Sequence, residues 1–108
     1  MTSNESFDVI VLGGGAAGSV LAARLSEDSS RSVLLLEAGK RAPETVNMPA
    51  KWISHVDTEI DWKYHTIPQE GCFMRRLSWP RGKVIGGSGS INAMIYIRGV
   101  PSDFDSWE

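Results

Sequence analysis

The residues Phe7–Gly18, FDVIVLGGGAAG, give the strongest indication of the fold. Phe7–Leu12 is a short apolar run rich in β-branched residues, which is typical of a strand buried on both faces of a parallel sheet. Three glycines end this run. From Ala16 to about Leu25, small and apolar residues recur at helical spacing, which predicts a thin helix lying close to the sheet. The apolar stripe of this helix is predicted to consist of Ala17, Val20, Leu21 and Leu25.

A second buried strand is predicted at Val33–Leu36, after the polar turn Ser26–Ser32. Strand, helix and strand together make a βαβ unit at residues 7–38, for which a right-handed crossover is expected. The predicted fold class is therefore α/β with a Rossmann-like βαβ unit. Beyond Gly39 the pattern loosens: Arg41–Pro49 is expected to be an irregular loop, and Asp61–Pro68 a strand or merely an extended segment.

The glycines after the first strand satisfy the pattern G-x-G-x-x-G, with Ala16 and Ala17 at the two positions before the last glycine. Gly13 permits a tight turn, Gly15 lets the backbone approach a pyrophosphate, and Gly18 allows close helix–strand packing. The helix N-terminus then offers free N–H groups and a partial positive charge to phosphates. Glu37 follows Gly18 by nineteen residues and is placed to accept hydrogen bonds from a ribose. A dinucleotide site is predicted, and a glycine-rich turn without a ligand is the alternative.

This first motif does not separate FAD from NAD, but a second one does. Gly82–Gly99, GKVIGGSGSINAMIYIRG, resembles the first signature of the glucose–methanol–choline (GMC) oxidoreductases. Weaker similarities span the rest of the chain and are closest to the choline-dehydrogenase-like branch. They comprise Glu37-Ala38-Gly39, Asp61-Trp62, Thr66, Pro68-Gln69, Arg98-Gly99 and Asp103–Trp107. The second stretch also argues against an NAD-dependent dehydrogenase.

The resemblance implies FAD as the cofactor, with residues 81–99 running beside the pyrophosphate, the ribityl chain and the flavin ring. Gly86 and Gly87 would allow a flat ring to approach the backbone closely. The implied contacts within this segment are Arg81, Val84, Gly86, Gly87, Ser88, Asn92, Ala93, Met94 and Ile95, and those outside it are Ala38 and Trp62. Some relatives bind FAD covalently through a histidine at the position of Ile91, so a non-covalent flavin is expected here.

The activity implied by the resemblance is oxidation of the CH–OH group of a small-molecule alcohol, with hydride transfer to flavin N5. In the family the catalytic histidine and its partner come from the far carboxy-terminal part, so no catalytic residue is assigned here. His55 and His65 match no catalytic position. The electron acceptor (oxygen, a quinone or a carrier protein) stays open. A short, catalytically inactive nucleotide-binding product is the alternative, and the question is whether the reading frame continues past Glu108.

Length and charge bound the remaining possibilities. The 108 residues are expected to be a partial FAD-binding domain without its substrate domain, and Ser102 and Asp105 are predicted to cap a helix that the chain truncates. A net charge of −2 gives no argument for a nucleic-acid partner, and the single cysteine excludes an internal disulfide or a cysteine metal site. Because Met1–Ser6 is polar and no long apolar run follows, neither a signal peptide nor a membrane span is predicted, and a cytoplasmic location follows by default.

Overall fold

β1 (Val9–Leu12), α1 (Ala16–Leu25) and β2 (Val33–Leu36) form a βαβ unit in the computed structural model, which describes residues 5–107. β1 and β2 are parallel and in register from Val9 opposite Val33 to Leu12 opposite Leu36. The α/β fold class and the bounds of α1 and β2 are therefore as predicted. Residues 1–4, on which part of the expectation of no leader rests, and Glu108 lie outside the described residues.

Burial of β1 on both faces was expected, and this prediction is wrong for these residues. Val11 is buried beneath α1, whereas Ile10 and Leu12 are 55% and 78% exposed. Successive side chains of a strand point to opposite faces of the sheet. One face of the two-stranded sheet is thus covered by α1, and the other face carries exposed apolar side chains.

The stripe of α1 that faces the sheet also differs from the prediction. Gly18, Ala22 and Leu25 are half-buried, whereas Val20 and Leu21 are exposed. Gly18 lies directly against the turn that follows β1: a Cβ added there would lie 1.9 Å from the carbonyl oxygen of Gly13. This close approach at Gly18 sets the rotation of the helix and turns its larger apolar side chains away from the sheet.

The chain beyond β2 is mostly irregular, as expected. Single turns of 3-10 helix lie at Glu44–Asn47 and Glu70–Cys72, and a longer one at Pro49–His55. The extended segment that starts at Asp61 contains β3 (Tyr64–His65), which pairs antiparallel with β4 (Ser78–Trp79).

A small core connects these loops to the βαβ unit. It is formed by Ile60, Val84 and Ile91, and Val84 is completely buried. Residues 83–85 run between two neighbours: the Lys83 N–H donates to the Ile60 carbonyl at 2.8 Å, and the Ile85 N–H donates to the Lys40 carbonyl at 3.0 Å. The second glycine-rich stretch is thereby attached to the end of β2.

α2 (Pro101–Asp105) begins two residues earlier than predicted. Val100 is its N-cap, Pro101 occupies the first helical position, and Asp103 rather than Asp105 accepts the N–H of the N-cap, at 3.0 Å. Proline suits that first position because its fixed φ is helical and its missing N–H would be unpaired anyway. Within residues 5–107, no helix combines the length and the apolar character needed to cross a membrane.

Candidate cofactor-binding cleft

A cleft of about 700 Å³ opens at the carboxyl ends of β1 and β2. This edge is where open parallel sheets bind their ligands. Its lining comes from both glycine-rich stretches and from the β3 segment. The lining residues are Leu12, Gly13, Gly15, Leu36, Glu37, Ala38, Trp62, Tyr64, Arg81, Gly82, Gly87 and Ser88.

The first glycine-rich turn presents the N-terminus of α1 to this cleft. Gly13 has φ of +93°, a conformation that favours glycine, and its N–H donates to the Leu36 carbonyl at 2.7 Å. Gly15 is the N-cap of α1, and no side chain in the described part of the chain caps this helix end. The first N–H groups of an α-helix lack intrahelical partners and favour an anion. The Ala16, Ala17 and Gly18 amides therefore form a phosphate-sized donor group.

Glu37 connects this turn to the end of β2. Its Oε2 accepts the Gly14 N–H at 2.6 Å, and its Oε1 accepts the Gly39 N–H at 2.8 Å. The side chain is half-buried and also lines the cleft. Each carboxylate oxygen has two lone pairs, so both retain capacity for a further donor such as a ribose hydroxyl.

The second glycine-rich stretch meets the first one at close range. A Cβ added at Gly87 would lie 2.8 Å from the Cα of Gly15, so side chains are excluded where the two backbones pass. The Gly86 N–H donates to the Gly14 carbonyl at 2.8 Å. Ser88 Oγ accepts the Gly82 N–H at 3.1 Å, which closes the loop between them. Two stretches about seventy residues apart thus form one continuous wall of backbone.

An aromatic surface forms another part of the lining. The rings of Trp62 and Tyr64 are stacked, with centroids 5.8 Å apart and planes at 8°. The Lys83 ammonium lies 4.8 Å from the centre of the Trp62 ring, and the Arg81 guanidinium lies 5.1 Å from that of Trp79. Cations at this distance are attracted to the ring face, and they add positive charge beside the cleft.

Asp61 is a buried carboxylate behind this surface that does not itself line the cleft. It is 4% exposed and accepts three backbone N–H groups, from Asp57 (3.0 Å), Lys63 (3.0 Å) and Arg81 (2.9 Å). Desolvation raises the pKa of Asp61, but the three N–H donors together lower it by more, so the pKa lies below its usual range. Asp61 is therefore ionised at neutral pH.

The structure brings together only part of the predicted site. Gly13, Gly15, Glu37, Ala38, Trp62, Arg81, Gly87 and Ser88 line the cleft. Ala16, Ala17 and Gly18 form the first turn of α1 beside the cleft, and Gly86 lies in the second glycine-rich stretch next to it. Val84 is completely buried in the core, and its carbonyl accepts the Gly87 N–H at 2.8 Å, so its predicted contact with the cofactor stays a prediction. Asn92 and Ala93 line a neighbouring cavity of about 270 Å³ that also contacts Arg81 and Ser88.

The Asn92 side chain forms hydrogen bonds with backbone groups close to it in sequence. Asn92 Nδ2 donates to the Gly89 carbonyl at 2.7 Å, and Asn92 Oδ1 accepts the Met94 N–H at 2.6 Å. The Met94 and Ile95 side chains are exposed. These predicted cofactor contacts stay predictions, because their side chains are not directed into the main cleft.

Gly82 lines the cleft as well; it lies in the predicted segment 81–99, although no contact was assigned to it. Three further lining residues were not predicted, Leu12, Leu36 and Tyr64, and a signal existed for each. Leu12 and Leu36 are the last residues of the two parallel strands, and Tyr64 shares the alternation of Trp62. Asp61 gave no signal of its own beyond its place in the family resemblance.

The residues present fit a dinucleotide. The uncapped helix end suits a pyrophosphate, the half-buried acid suits a ribose, and the backbone wall beside an aromatic stack leaves room for a flat ring. A side chain at Gly87 would collide with the backbone of Gly15, so the close approach of the two backbones depends on glycine. The fold and the cleft together define an α/β dinucleotide-binding protein.

Comparison with known proteins identifies the family. The GMC oxidoreductase family model matches residues 7–108, and the chain belongs to this family, whose members are FAD-dependent oxidoreductases. Mitochondrial choline dehydrogenase of Mus musculus is 47% identical over 95% of the chain and 19% of its own length. The predicted family and its FAD cofactor are confirmed.

Solved structures give the same result. Pyridoxine 4-oxidase from Mesorbium loti matches with a TM-score of 0.80 and 47% identity, over 94% of this chain and 20% of that one. Formate oxidase from Aspergillus oryzae RIB40 matches with a TM-score of 0.78 and 31% identity, over 99% and 19%. The chain spans about a fifth of the length of the relatives that it matches.

Proposed function

We propose that this chain forms the FAD-binding part of an oxidoreductase that acts on the CH–OH group of an alcohol. The observation that carries the proposal is the meeting of the two glycine-rich stretches at one cleft, through the Gly86–Gly14 hydrogen bond and the close passage of Gly87 over Gly15. One stretch alone is a common nucleotide-binding turn. Two stretches that share a wall with an aromatic stack favour a flavin dinucleotide.

The proposed roles follow the chemistry of each part of the cleft. The N-terminus of α1 binds the pyrophosphate, and Glu37 accepts hydrogen bonds from the adenosine ribose. The backbone of residues 86–88 borders the ribityl chain and the flavin ring, with Trp62 beside it. Asn92–Ile95 are proposed to contact the flavin through backbone groups, since the Asn92 side chain already stabilises the backbone there.

When FAD is bound, it accepts the hydride that the alcohol loses. The residues of this chain bind and orient the cofactor. No catalytic base is assigned among the described residues: His55 is the buried last residue of the 3-10 helix Pro49–His55, and His65 is exposed and bonded to the Lys63 carbonyl. The base is proposed to lie elsewhere in the full-length protein, meaning the complete product of the reading frame that contains these residues.

The substrate is proposed only as a class of alcohol, and the cellular location is proposed with it. A small primary alcohol is proposed as the substrate class, because relatives include choline dehydrogenases and a pyridoxine 4-oxidase. Since the relatives include both dehydrogenases and oxidases, no electron acceptor is proposed, and an activity assay has to test both oxygen and an artificial acceptor. The cytoplasmic location stays a proposal that cell fractionation with an antibody tests. Recovery with mitochondria, where the names of two relatives place those proteins, would contradict it.

Turnover should require more than residues 1–108. The full-length protein, supplied with FAD, an artificial electron acceptor and a panel of primary alcohols including choline and pyridoxine, should oxidise at least one of them. Residues 1–108 alone should give no turnover above free flavin, because they offer no assigned base. They should also be marginally folded, because one face of their sheet exposes Ile10, Leu12 and Leu36.

The assay of the full-length protein and the assay of residues 1–108 test different claims. Absence of turnover by the flavin-loaded full-length protein, with both oxygen and the artificial acceptor tested, would contradict the alcohol oxidoreductase. Turnover by residues 1–108 would instead reveal a catalytic group within them and favour a self-sufficient short enzyme. The alternative function, a nucleotide-binding product without catalysis, predicts that FAD binds in the absence of any turnover.

The flavin should be held without a covalent bond. Ile91 stands where some relatives carry a linking histidine, and its hydrocarbon side chain is buried in the core with Ile60 and Val84. Acid precipitation of the full-length holoprotein should therefore leave all of the yellow colour in the supernatant. Flavin fluorescence that migrates with the protein on a denaturing gel would show that another residue forms the link.

A further inference from the structure

Asp61 joins two segments that are distant in sequence and that both reach the cleft. Arg81 is twenty residues away, and its backbone N–H donates to Asp61 Oδ1 at 2.9 Å. The carbonyl of the same residue accepts the Trp62 N–H at 2.8 Å. Arg81 is thus fixed through both of its backbone polar groups by Asp61 and its neighbour.

The two carboxylate oxygens of Asp61 have different tasks. Oδ1 accepts the N–H groups of Lys63 and Arg81. Lys63 follows the lining residue Trp62, and Arg81 lines the cleft together with the next residue, Gly82. Oδ2 accepts the Asp57 N–H at 3.0 Å, in a turn that does not line the cleft. A buried carboxylate needs such donors to offset its lost hydration, and its burial makes their geometry demanding.

We propose that Asp61 is a positioning residue for the cofactor cleft: its Oδ1 fixes the Arg81 backbone and the Trp62–Tyr64 stack in the arrangement that receives FAD. The carboxylate does not line the cleft and acts only through these neighbours. The proposal rests on the proposed function, because it presupposes that FAD occupies this cleft. It goes beyond that function by placing part of the affinity for FAD in a side chain that the cofactor does not touch.

Two substitutions separate the two oxygens. Asp61→Ala removes both acceptors and leaves the Arg81 and Lys63 amides unpaired. Asp61→Asn keeps one oxygen, which satisfies two N–H groups at the Oδ1 position but only one at the Oδ2 position, so the amide oxygen should take the Oδ1 place. The asparagine variant then loses chiefly the bond to Asp57.

Asp8→Ala is a matched control for stability alone. Asp8 Oδ2 also accepts bonds from a backbone N–H and a hydroxyl, both of Ser32, at 2.8 and 2.7 Å. This pair lies at the amino ends of β1 and β2, whereas the cleft lies at their carboxyl ends, about 13 Å along strands of four residues. Loss of the Asp8 contacts should loosen the sheet without moving the lining of the cleft.

The experiment measures the thermal midpoint and the Kd for FAD of the full-length apoprotein and each variant. Asp61→Ala should weaken FAD at least about tenfold, and Asp61→Asn should recover the affinity to within about threefold of wild type, although both lower the midpoint. Asp8→Ala should lower the midpoint and leave the Kd unchanged. If the affinity of all three variants simply follows their thermal midpoints, Asp61 serves only the fold and the proposal is overturned.

The remaining outcomes are equally decisive. A folded Asp61→Ala that binds FAD as tightly as wild type overturns the positioning role while leaving the proposed function intact. Wild type that binds no FAD contradicts the proposed function itself, and with it the role assigned to Asp61. Should Asp61→Ala not fold, Asp61→Glu keeps the charge but displaces the oxygens by one methylene, and it should weaken FAD at least about tenfold. Failure of both variants to fold assigns Asp61 to the fold and overturns the proposal.

Discussion

Glu37→Ala should weaken the binding of FAD to the full-length protein at least about tenfold. The substitution removes the proposed acceptor for the ribose hydroxyls and also leaves the Gly14 and Gly39 N–H groups without their partner. A hydrogen bond to a charged group contributes about 1.5–3 kcal/mol, and about 1.4 kcal/mol corresponds to a tenfold change in affinity. A fluorescence titration of the apoprotein with FAD measures this change.

Two further variants separate the roles of Glu37. Glu37→Gln keeps an acceptor for one N–H but loses the charge, so its affinity should fall between those of wild type and Glu37→Ala. Glu59→Ala is the control, because its exposed ion pair with Lys40 is about 3.4 Å long and such pairs contribute little. An unchanged Kd in Glu37→Ala would exclude the assignment of the ribose to this residue.

The βαβ unit was predictable because its signals are local. The apolar runs, the glycine turn and the acid at the end of β2 each lie within one short stretch, and the sequence places α1 and β2 at their observed bounds. The capping of α2 was wrong by two residues because the backbone N–H of Val100 selects Asp103. Serine and aspartate recur closely there, so several positions satisfy the same capping pattern.

What the sequence does not reveal depends on packing between distant segments. Periodicity alone placed Val20 and Leu21 on the buried face of α1, but the contact of Gly18 with the turn after β1 rotates the helix differently. The role of Asp61 depends on Arg81, twenty residues later, and no local pattern reports such a bond. The flavin-side predictions at Asn92–Ile95 stay predictions, because Met94 and Ile95 are exposed and the Asn92 side chain bonds only to neighbouring backbone groups.

Among glycine-to-alanine substitutions in the first glycine-rich stretch, Gly18→Ala should disrupt the cleft most. Inside a helix, alanine is normally more stable than glycine by about 1 kcal/mol, so helix propensity alone predicts a gain. The added Cβ would instead lie 1.9 Å from the Gly13 carbonyl oxygen, and the obstructing atom belongs to backbone. Overpacking typically costs about 1–3 kcal/mol, so the steric term should reverse the sign.

Relief of this contact requires α1 to move away from β1 and displaces the Gly13–Gly15 turn on which the phosphates are proposed to rest. The full-length Gly18→Ala protein should therefore unfold at a temperature several degrees below wild type and bind FAD at least about tenfold more weakly. Gly71→Ala is the matched control: no atom lies within 4 Å of the added Cβ, its φ is not positive, and a glycine-to-alanine change there should be neutral or stabilising by up to about 1 kcal/mol. A Gly18→Ala protein as stable as the Gly71→Ala protein, with unchanged FAD affinity, would mean that α1 does not lie as close to the glycine turn as this structure places it.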